Sequence, residues 1–234
     1  MKEIKLFEDG IGKVALVSHV GTDKSVVNSA RVSFGRDGGE ELTERDKKLI
    51  RYLIEHRHTS TLEHNFVTFM FEVPLYIRAQ HMRHRTWSYN EISRRYTEFD
   101  LKFYEPRTFR TQHQVNRQAS NWGTEFDPTI APLFLDTYAR ASDAVVEFHK
   151  YSLDLFNTLV DKGVCREQAR GVLPQNLYTR YYGSTNLNNL LKFIDLRTHE
   201  GAQWEIQQVA NACLDIAEEL WPFTVGAYRE LRGS

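Results

Sequence analysis

The sequence predicts an α+β fold, a single domain over residues 1–234 with a central mixed or antiparallel sheet packed by long helices. Three observations lead there. Two apolar, β-branched or aromatic runs, 13–20 (KVALVSHV) and 66–73 (FVTFMFEV), read as strands, and both lie in the first third of the chain. From about residue 132 onward, apolar residues recur at helical spacing. No internal repeat and no low-complexity linker divides the chain.

Taken in order, the first strand is followed by Asp23, which is placed to cap a short helix running to about Ser33. Residues 35–41, GRDGGEE, form a polar glycine-rich loop. Thr43 then opens a stronger helix, with acids in its first turn and Leu49, Ile50, Leu53 and Ile54 on one face. In the second strand both faces are apolar, which predicts burial on both sides. Pro74 suits the first turn of the helix that follows, PLYIRAQHMRHR. Residues 111–131 are polar and irregular, as expected of a mobile loop. Leu135, Tyr138, Val145, Phe148, Phe156 and Leu159 predict one long helix from Pro132 to Val160, ended near Gly163. A short helix, CREQARGVL, stops at Pro174, and two more are expected over about 186–196 and 201–220.

Composition narrows the function. With 234 residues, 41% of them hydrophobic, the chain can bury a sizeable core. A formal net charge of −1 gives no overall field for nucleic acid or membranes, so any anion site must be local. Cys165 and Cys213 have no partner spacing for a disulfide or a metal, and both are expected to sit in helices, Cys165 as a packing residue. The start, MKEIKLFEDG, has no apolar signal core, and no run is long enough to span a bilayer. A cytoplasmic protein is expected. There is no GxGxxG after a strand, no GxxxxGK[ST], no HExxH and no CxxC.

The local feature is at 83–96, RHRTWSYNEISRRY, with four arginines in fourteen residues. Arginine presents a rigid fork of donors suited to phosphate and carboxylate oxygens. In an extended stretch Arg83 and Arg85 would face one way and His84 the other. Ser88, Asn90, Glu91, Ser93 and Arg95 add polar groups around them. An anion site and a subunit contact both fit such a cluster. A second constellation, HRHTSTLEHNF at 56–66, holds three histidines and Glu63 in no metal-ligand spacing. It reads either as a helix C-terminus or as a polar pocket using His58 and Ser60, and no metal is expected. In the third, residues 165–206, Arg166 and Arg170 share a helical face, Asn186, Asn188 and Asn189 crowd a helix start, and Arg197 sits at a helix end.

These blocks together resemble the flavin-dependent thymidylate synthases. The RHR-x7-S pattern of Arg83-His84-Arg85 to Ser93 is similar to that family's signature. HRHTSTLEH, RAQHMRHR, EQARGVLPQNLYT and LRTHEGAQWEI resemble further family segments in order and spacing, over about residues 13–225. The resemblance implies reductive methylation of dUMP to dTMP, with 5,10-methylenetetrahydrofolate as carbon donor and FAD, reduced by NADPH, as hydride carrier. It implies a homotetramer with sites shared between subunits. By motif position, Gln80, Arg83, Glu91, Ile92, Ser93, Arg94, Arg95, Arg170 and Arg197 resemble dUMP-contacting residues. Arg197 stands where a cation would stabilise charge developing on the pyrimidine, which makes it the catalytic candidate. His58, Ser60, Arg83, His84, Arg85, Glu91, Asn186, Asn188 and Lys192 resemble flavin-contacting residues.

The chain departs from the family pattern at Gly201, where a histidine is frequent; here the nearby histidine is His199. Lys192 stands where other members carry an amide, and Asn188 where some carry an arginine. Neither cysteine has the Pro-Cys-Gln setting of the unrelated thymidylate synthases that use a cysteine nucleophile. Two other classes compete. A non-catalytic nucleotide- or RNA-binding module would stack Trp87 or Tyr89 on bases, and a structural oligomer would hide the arginines in an interface.

Overall fold

The computed structural model describes residues 2–35, 39–93, 95, 101–116, 119–121, 123–132 and 134–232. Its centre is a five-stranded antiparallel sheet of β1 (Glu3–Lys5), β2 (Lys13–Val20), β3 (Phe66–Pro74), β7 (Tyr178–Asn186) and β4 (Ser88–Glu91), in the order β1-β2-β3-β7-β4. A two-residue ribbon joins β5 (Thr129–Ile130) to β6 (Ala139–Arg140). The helices are α1 (Asp23–Val32), α2 (Glu44–Glu55), α3 (Leu75–His81), α4 (Ala141–Asp161), α5 (Arg166–Ala169), α6 (Leu187–Thr198), α7 (Trp204–Leu220) and α8 (Pro222–Arg232). Short 3-10 turns cover Thr59–Leu62 and Arg170–Val172.

One face of β3 carries Val67, Phe69, Phe71 and Val73, all essentially inaccessible, and they form the sheet's contribution to the main core. The other face is only partly covered at Thr68 and Met70, and Phe66 is exposed, so the strand is not buried on both sides as its composition suggested. Helices α2, α6, α7 and α8 close over the buried face with Ile50, Leu190, Phe193, Ile206, Ile216 and Val225. A smaller apolar cluster gathers Phe156, Ala169, Leu173 and Leu177 between α4 and α5.

The local signals act as expected at Thr43, whose hydroxyl accepts from the Asp46 N–H, and at Asn186, whose Oδ1 accepts from the Asn189 N–H at 2.9 Å. Asp23 behaves differently. Thr22 occupies the cap of α1, and the Asp23 carboxylate accepts from the Phe223 and Thr224 N–H groups at 3.0 and 2.8 Å, capping α8 instead. The long helix begins at Ala141 and not at Pro132, because Ala139–Arg140 pairs with β5 and the Asp127 carboxylate holds the Ser142 N–H and hydroxyl. Local pairings join Gln112 to Ser120 within 111–131, and Phe126 to Phe109 just ahead of it. Cys165 precedes α5 and is exposed, so it is not a packing residue, whereas Cys213 is buried in α7 and burial pushes its thiol pKa up. No helix among the described residues is long and apolar enough to cross a membrane.

Candidate functional site

The basic cluster lies on the turn between α3 and β4, and β4 is an edge strand of the sheet. Trp87 is the anchor. Its ring is 6% exposed and packs against Phe69, Phe71, His81 and Phe193. The Tyr89 hydroxyl reaches back to the carbonyls of His81 and His84 at 2.9 and 3.1 Å, tying the end of α3 to β4. With the turn pinned from inside, Arg83 and Arg85 are exposed and His84 points inward, as the alternation predicted. Neither arginine's guanidinium forms a hydrogen bond or ion pair among the described residues.

His84 receives a hydrogen bond on Nε2 from Nε of Arg197, at 3.0 Å. Burial first, and the Arg197 charge second, push the imidazole pKa down to about 4. The ring is therefore neutral at pH 7 and works as an acceptor that aims the guanidinium. Burial also lowers the pKa of Arg197. Beneath them His81 is inaccessible and bonds the Tyr181 hydroxyl at 2.9 Å through Nδ1. Its pKa lies well below the ordinary imidazole range, by burial and then by the His84 and Arg197 charges. Gln80, half-buried at the end of α3, donates its amide N–H to Gln203 Oε1.

At the far end of β4, Glu91 accepts from Arg78 Nε at 3.2 Å and from the Thr179 hydroxyl at 2.6 Å. Glu91, Ile92, Arg78, Arg170, Gln175 and Thr179 line part of a cavity of about 370 Å³. The Arg170 guanidinium is exposed there and has no ion-pair partner among the described residues. Ser93 is half-buried, and its hydroxyl accepts from the N–H of exposed Arg95 at 3.3 Å. Arg94 lies outside the described residues.

A third group stands at the opposite end of β7. The Thr185 hydroxyl bonds the Thr86 carbonyl, and Asn186 begins α6. Asn188 is buried and donates to Glu63 at 2.8 Å, which ties α6 to the 3-10 turn that carries Ser60. Ser60, His58 and Lys192 are exposed around this junction. From Thr179 to Thr185 the strand spans roughly 20 Å at about 3.3 Å per residue. The candidate residues thus fall into a Glu91–Arg170 group and an Asn186–Ser60 group at opposite ends of one strand, with His84–Arg197 and Gln80 as a third cluster. No cluster of three or more metal-ligating side chains occurs among the described residues.

Sequence reasoning missed Arg78, Thr179 and the buried Glu205, whose carboxylate accepts from Gln203 Nε2 at 2.9 Å and from the Arg110 guanidinium at 2.8 Å. The only signal was the position of Arg78 in RAQ and of Gln203 and Glu205 in GAQWEI, inside blocks singled out for other residues. The base-stacking role considered for Trp87 is contradicted, since its ring is inside the core.

Two arginines whose guanidinium groups have no partner among the described residues stand beside an aimed, partly buried arginine on an α+β scaffold, a donor set with the chemistry to take an anion. Residues 15–223 match the family model described as thymidylate synthase complementing protein. The chain is 42% identical over 219 residues to a flavin-dependent thymidylate synthase of Thermus thermophilus, covering 94% of this chain and 76% of that one. It is 38% identical to the enzyme of the same description from Kosmotoga olearia, over 97% and 93% of the two chains. A crystal structure of the UMP/dUMP methylase PolB from Streptomyces cacaoi, bound with 5-Br dUMP, superposes with a TM-score of 0.79 at 32% identity, covering 97% of each chain. The chain belongs to the flavin-dependent thymidylate synthase family, and it is an enzyme of that kind.

Proposed function

We propose that this protein methylates dUMP to dTMP, taking the carbon from 5,10-methylenetetrahydrofolate and reducing equivalents from NADPH by way of FAD. The observation that carries this reading is the turn on which Arg83 and Arg85 stand outward, without partners among the described residues, while His84 turns inward to hold Arg197. The donor set fits a flavin dinucleotide: two guanidinium forks without a partner among the described residues suit a pyrophosphate, and Asn186, as the cap, and Asn188, held by Glu63, shape the helix start beside them. Arg83, His84, Arg85, Glu91, His58, Ser60, Asn186, Asn188 and Lys192 would hold the cofactor, which when bound supplies the hydride.

For the nucleotide, Arg170 and the Ser93–Arg95 segment beside the Glu91 cavity offer donors to a phosphate. Gln80 and Arg83 complete the contacts from the α3 side. Arg197 is the residue assigned to catalysis. Its cation faces the ring on which negative charge develops as C5 becomes nucleophilic, and the neutral His84 keeps it aimed. The whole of residues 1–234 acts as one domain.

The strand-length separation of the two residue groups supports a homotetramer in which each site takes residues from more than one subunit. The outer face of α4 supplies apolar surface for such contacts, with Phe148, Tyr151 and Leu155 exposed one or two turns apart. Both cysteines are free, in keeping with a reducing cytoplasm.

The test is release of label from the C5 hydrogen of dUMP, with FAD, NADPH and methylenetetrahydrofolate each omitted in turn. Release that needs FAD and NADPH, with dTMP formed, is the expected result. Folded protein that binds flavin and dUMP yet releases no label would overturn the proposal.

A further inference from the structure

A cavity of about 620 Å³ opens between the tip of the β1–β2 hairpin, the 103–110 stretch and the start of α7, a size ordinary for a small-molecule site. It shares no residue with the flavin or nucleotide candidates. Its walls include the rings of Phe7, Tyr104 and Trp204, and its lining carries four carboxylates, Glu8, Asp9, Glu105 and Glu125, against the guanidinium groups of Arg107 and Arg110. The walls are fixed from behind. Phe7 and Glu8 both take the left-handed backbone region, at φ 61° and 55°, which turns the hairpin tip. The Asp9 carboxylate holds that tip, accepting from the Ile11 and Gly12 N–H groups at 2.9 and 3.0 Å and from the Tyr178 hydroxyl. The Phe7 ring lies over Gly12, where a Cβ would come within 2.6 Å of its Cδ2, and its centroid is 5.3 Å from that of Tyr104.

One wall already holds an organic cation. The Arg110 guanidinium lies 5.5 Å over the Trp204 ring, gives two hydrogen bonds to Glu205 at 2.8 and 3.0 Å, and donates from Nε to the Ser120 hydroxyl at 2.9 Å. Ring face, carboxylate and hydroxyl are the partners that satisfy a cation with N–H donors away from water. Glu205 lies outside the lining and matches the Arg110 charge, so the four lining carboxylates face only Arg107. The open part of the cavity repeats the same three partners without the cation. Its ring faces are Phe7 and Tyr104, and Glu8 and Glu125 form no ion pair among the described residues. The hydroxyl is that of Tyr104. This residue is 8% exposed, yet its hydroxyl has no hydrogen-bond partner among the described residues, where buried polar groups are ordinarily satisfied. Burial, and then the Glu205 charge, push its pKa up, so it remains a neutral hydroxyl able to accept. An anion would meet four carboxylates here. A neutral apolar molecule would leave the Tyr104 hydroxyl unsatisfied, and a quaternary ammonium has no N–H to give it.

We propose that this cavity binds a linear polyamine, with one ammonium donating to the Tyr104 hydroxyl beside the ring faces, the methylene chain along the aromatic wall, and a further ammonium at the Glu8 and Glu125 carboxylates. The inference does not rest on the reaction proposed above.

The experiment is calorimetric titration of the full-length, flavin-loaded protein with spermidine, in about 0.15 M salt so that exposed charges are screened. Tetramethylammonium and magnesium ions are titrated alongside, and thermal melting checks that each variant is folded. Spermidine binds once per chain, and tetramethylammonium binds at least about tenfold more weakly for want of N–H donors. Tyr104→Phe removes one oxygen and keeps the ring, and it weakens spermidine at least about tenfold, the scale of a hydrogen bond to a charged group. The double variant Glu8→Gln with Glu125→Gln, both exposed positions, weakens it to a similar degree and serves if Tyr104→Phe does not fold. Binding that vanishes in about 0.15 M salt, or that magnesium displaces as readily as it displaces ions from any acidic surface, overturns the site. Wild-type affinity in folded Tyr104→Phe or in the double variant, or tetramethylammonium bound as tightly as spermidine, overturns it as well.

Discussion

The His84–Arg197 hydrogen bond makes a quantitative statement about pH. Nε2 of His84 accepts from the guanidinium, so protonating that nitrogen removes the bond and sets two cations against each other. In the unfolded chain the ring titrates near 6.5, and in the fold burial and the Arg197 charge hold it at about 4. Between those values the unfolded state binds more protons than the native one. Stability from this group is therefore complete above about pH 6.5 and is lost as pH falls from 6.5 toward 4. At roughly 1.4 kcal/mol per pH unit the gap is worth at most about 3 kcal/mol. The ring is only half-buried, and solvent screening brings the expected figure to about 1–2 kcal/mol. His81 contributes with the same sign and is present in both proteins compared, so the part of its shift that comes from burial, the largest cause, cancels. His84→Gln replaces the titrating acceptor with an amide oxygen that does not titrate. Urea unfolding at fixed protein concentration, at pH 7.5 and pH 5, spans about three-fifths of that gap and should show wild type losing about 1 kcal/mol more than the variant on acidification. Superimposable pH profiles for the two proteins would refute the coupling.

Three further outcomes are expected. Arg197→Ala should leave a folded protein whose dTMP formation is reduced about 100-fold or more, the usual scale for losing one charge-stabilising donor; normal turnover removes the charge role. Asp46 is inaccessible and joins Lys24 at 2.7 Å and Arg31, so Asp46→Ala should cost about 3 kcal/mol in urea unfolding; a loss under about 1 kcal/mol would show that the buried pairs contribute little. At Gly183 a Cβ would lie 2.9 Å from Phe71 Cε2 and 3.3 Å from Trp87 Cε3. Gly183→Ala should therefore cost about 1–3 kcal/mol and alter tryptophan fluorescence, and an unchanged melting temperature would contradict that packing.

Much of the scaffold was legible in the sequence where one local signal decides the outcome. The run at 13–20, the Thr43 cap and the Asn186 cap each carry their cause within a few residues. Strand β7 was not recognised, although it is the hub that pairs with both β3 and β4. Its sequence, YTRYYGSTN, mixes Arg180 and Gly183 into the tyrosines, and what makes it a strand is its long-range ladder to residues 66–74. The start of α4 was misplaced because Leu135 and Tyr138 keep helical spacing by chance, while the Asp127–Ser142 bonds that set the true start come from outside the helix. At the site, the outward and inward alternation of Arg83, His84 and Arg85 follows from local geometry and was readable. The Arg110–Glu205 pair, 95 residues apart in sequence, was not, since nothing near either residue announces the other.

The clasp between Asp23 and the start of α8 says something about how the molecule is born. The carboxylate lies 7% exposed and takes its partners from residues 200 positions downstream. Trp221, Val225 and Ala227, from the same late stretch, fill the core beside Val14 and Val26. At a synthesis rate of about 5–20 residues per second, the early helix waits on the order of 10–40 s for the backbone that will receive it. Over that interval its acid must remain in water and its apolar face unsealed. A product truncated ahead of α8 leaves that acid without its partners and the core without Val225 and Ala227, so the first helix of the chain is completed only by one of its latest stretches.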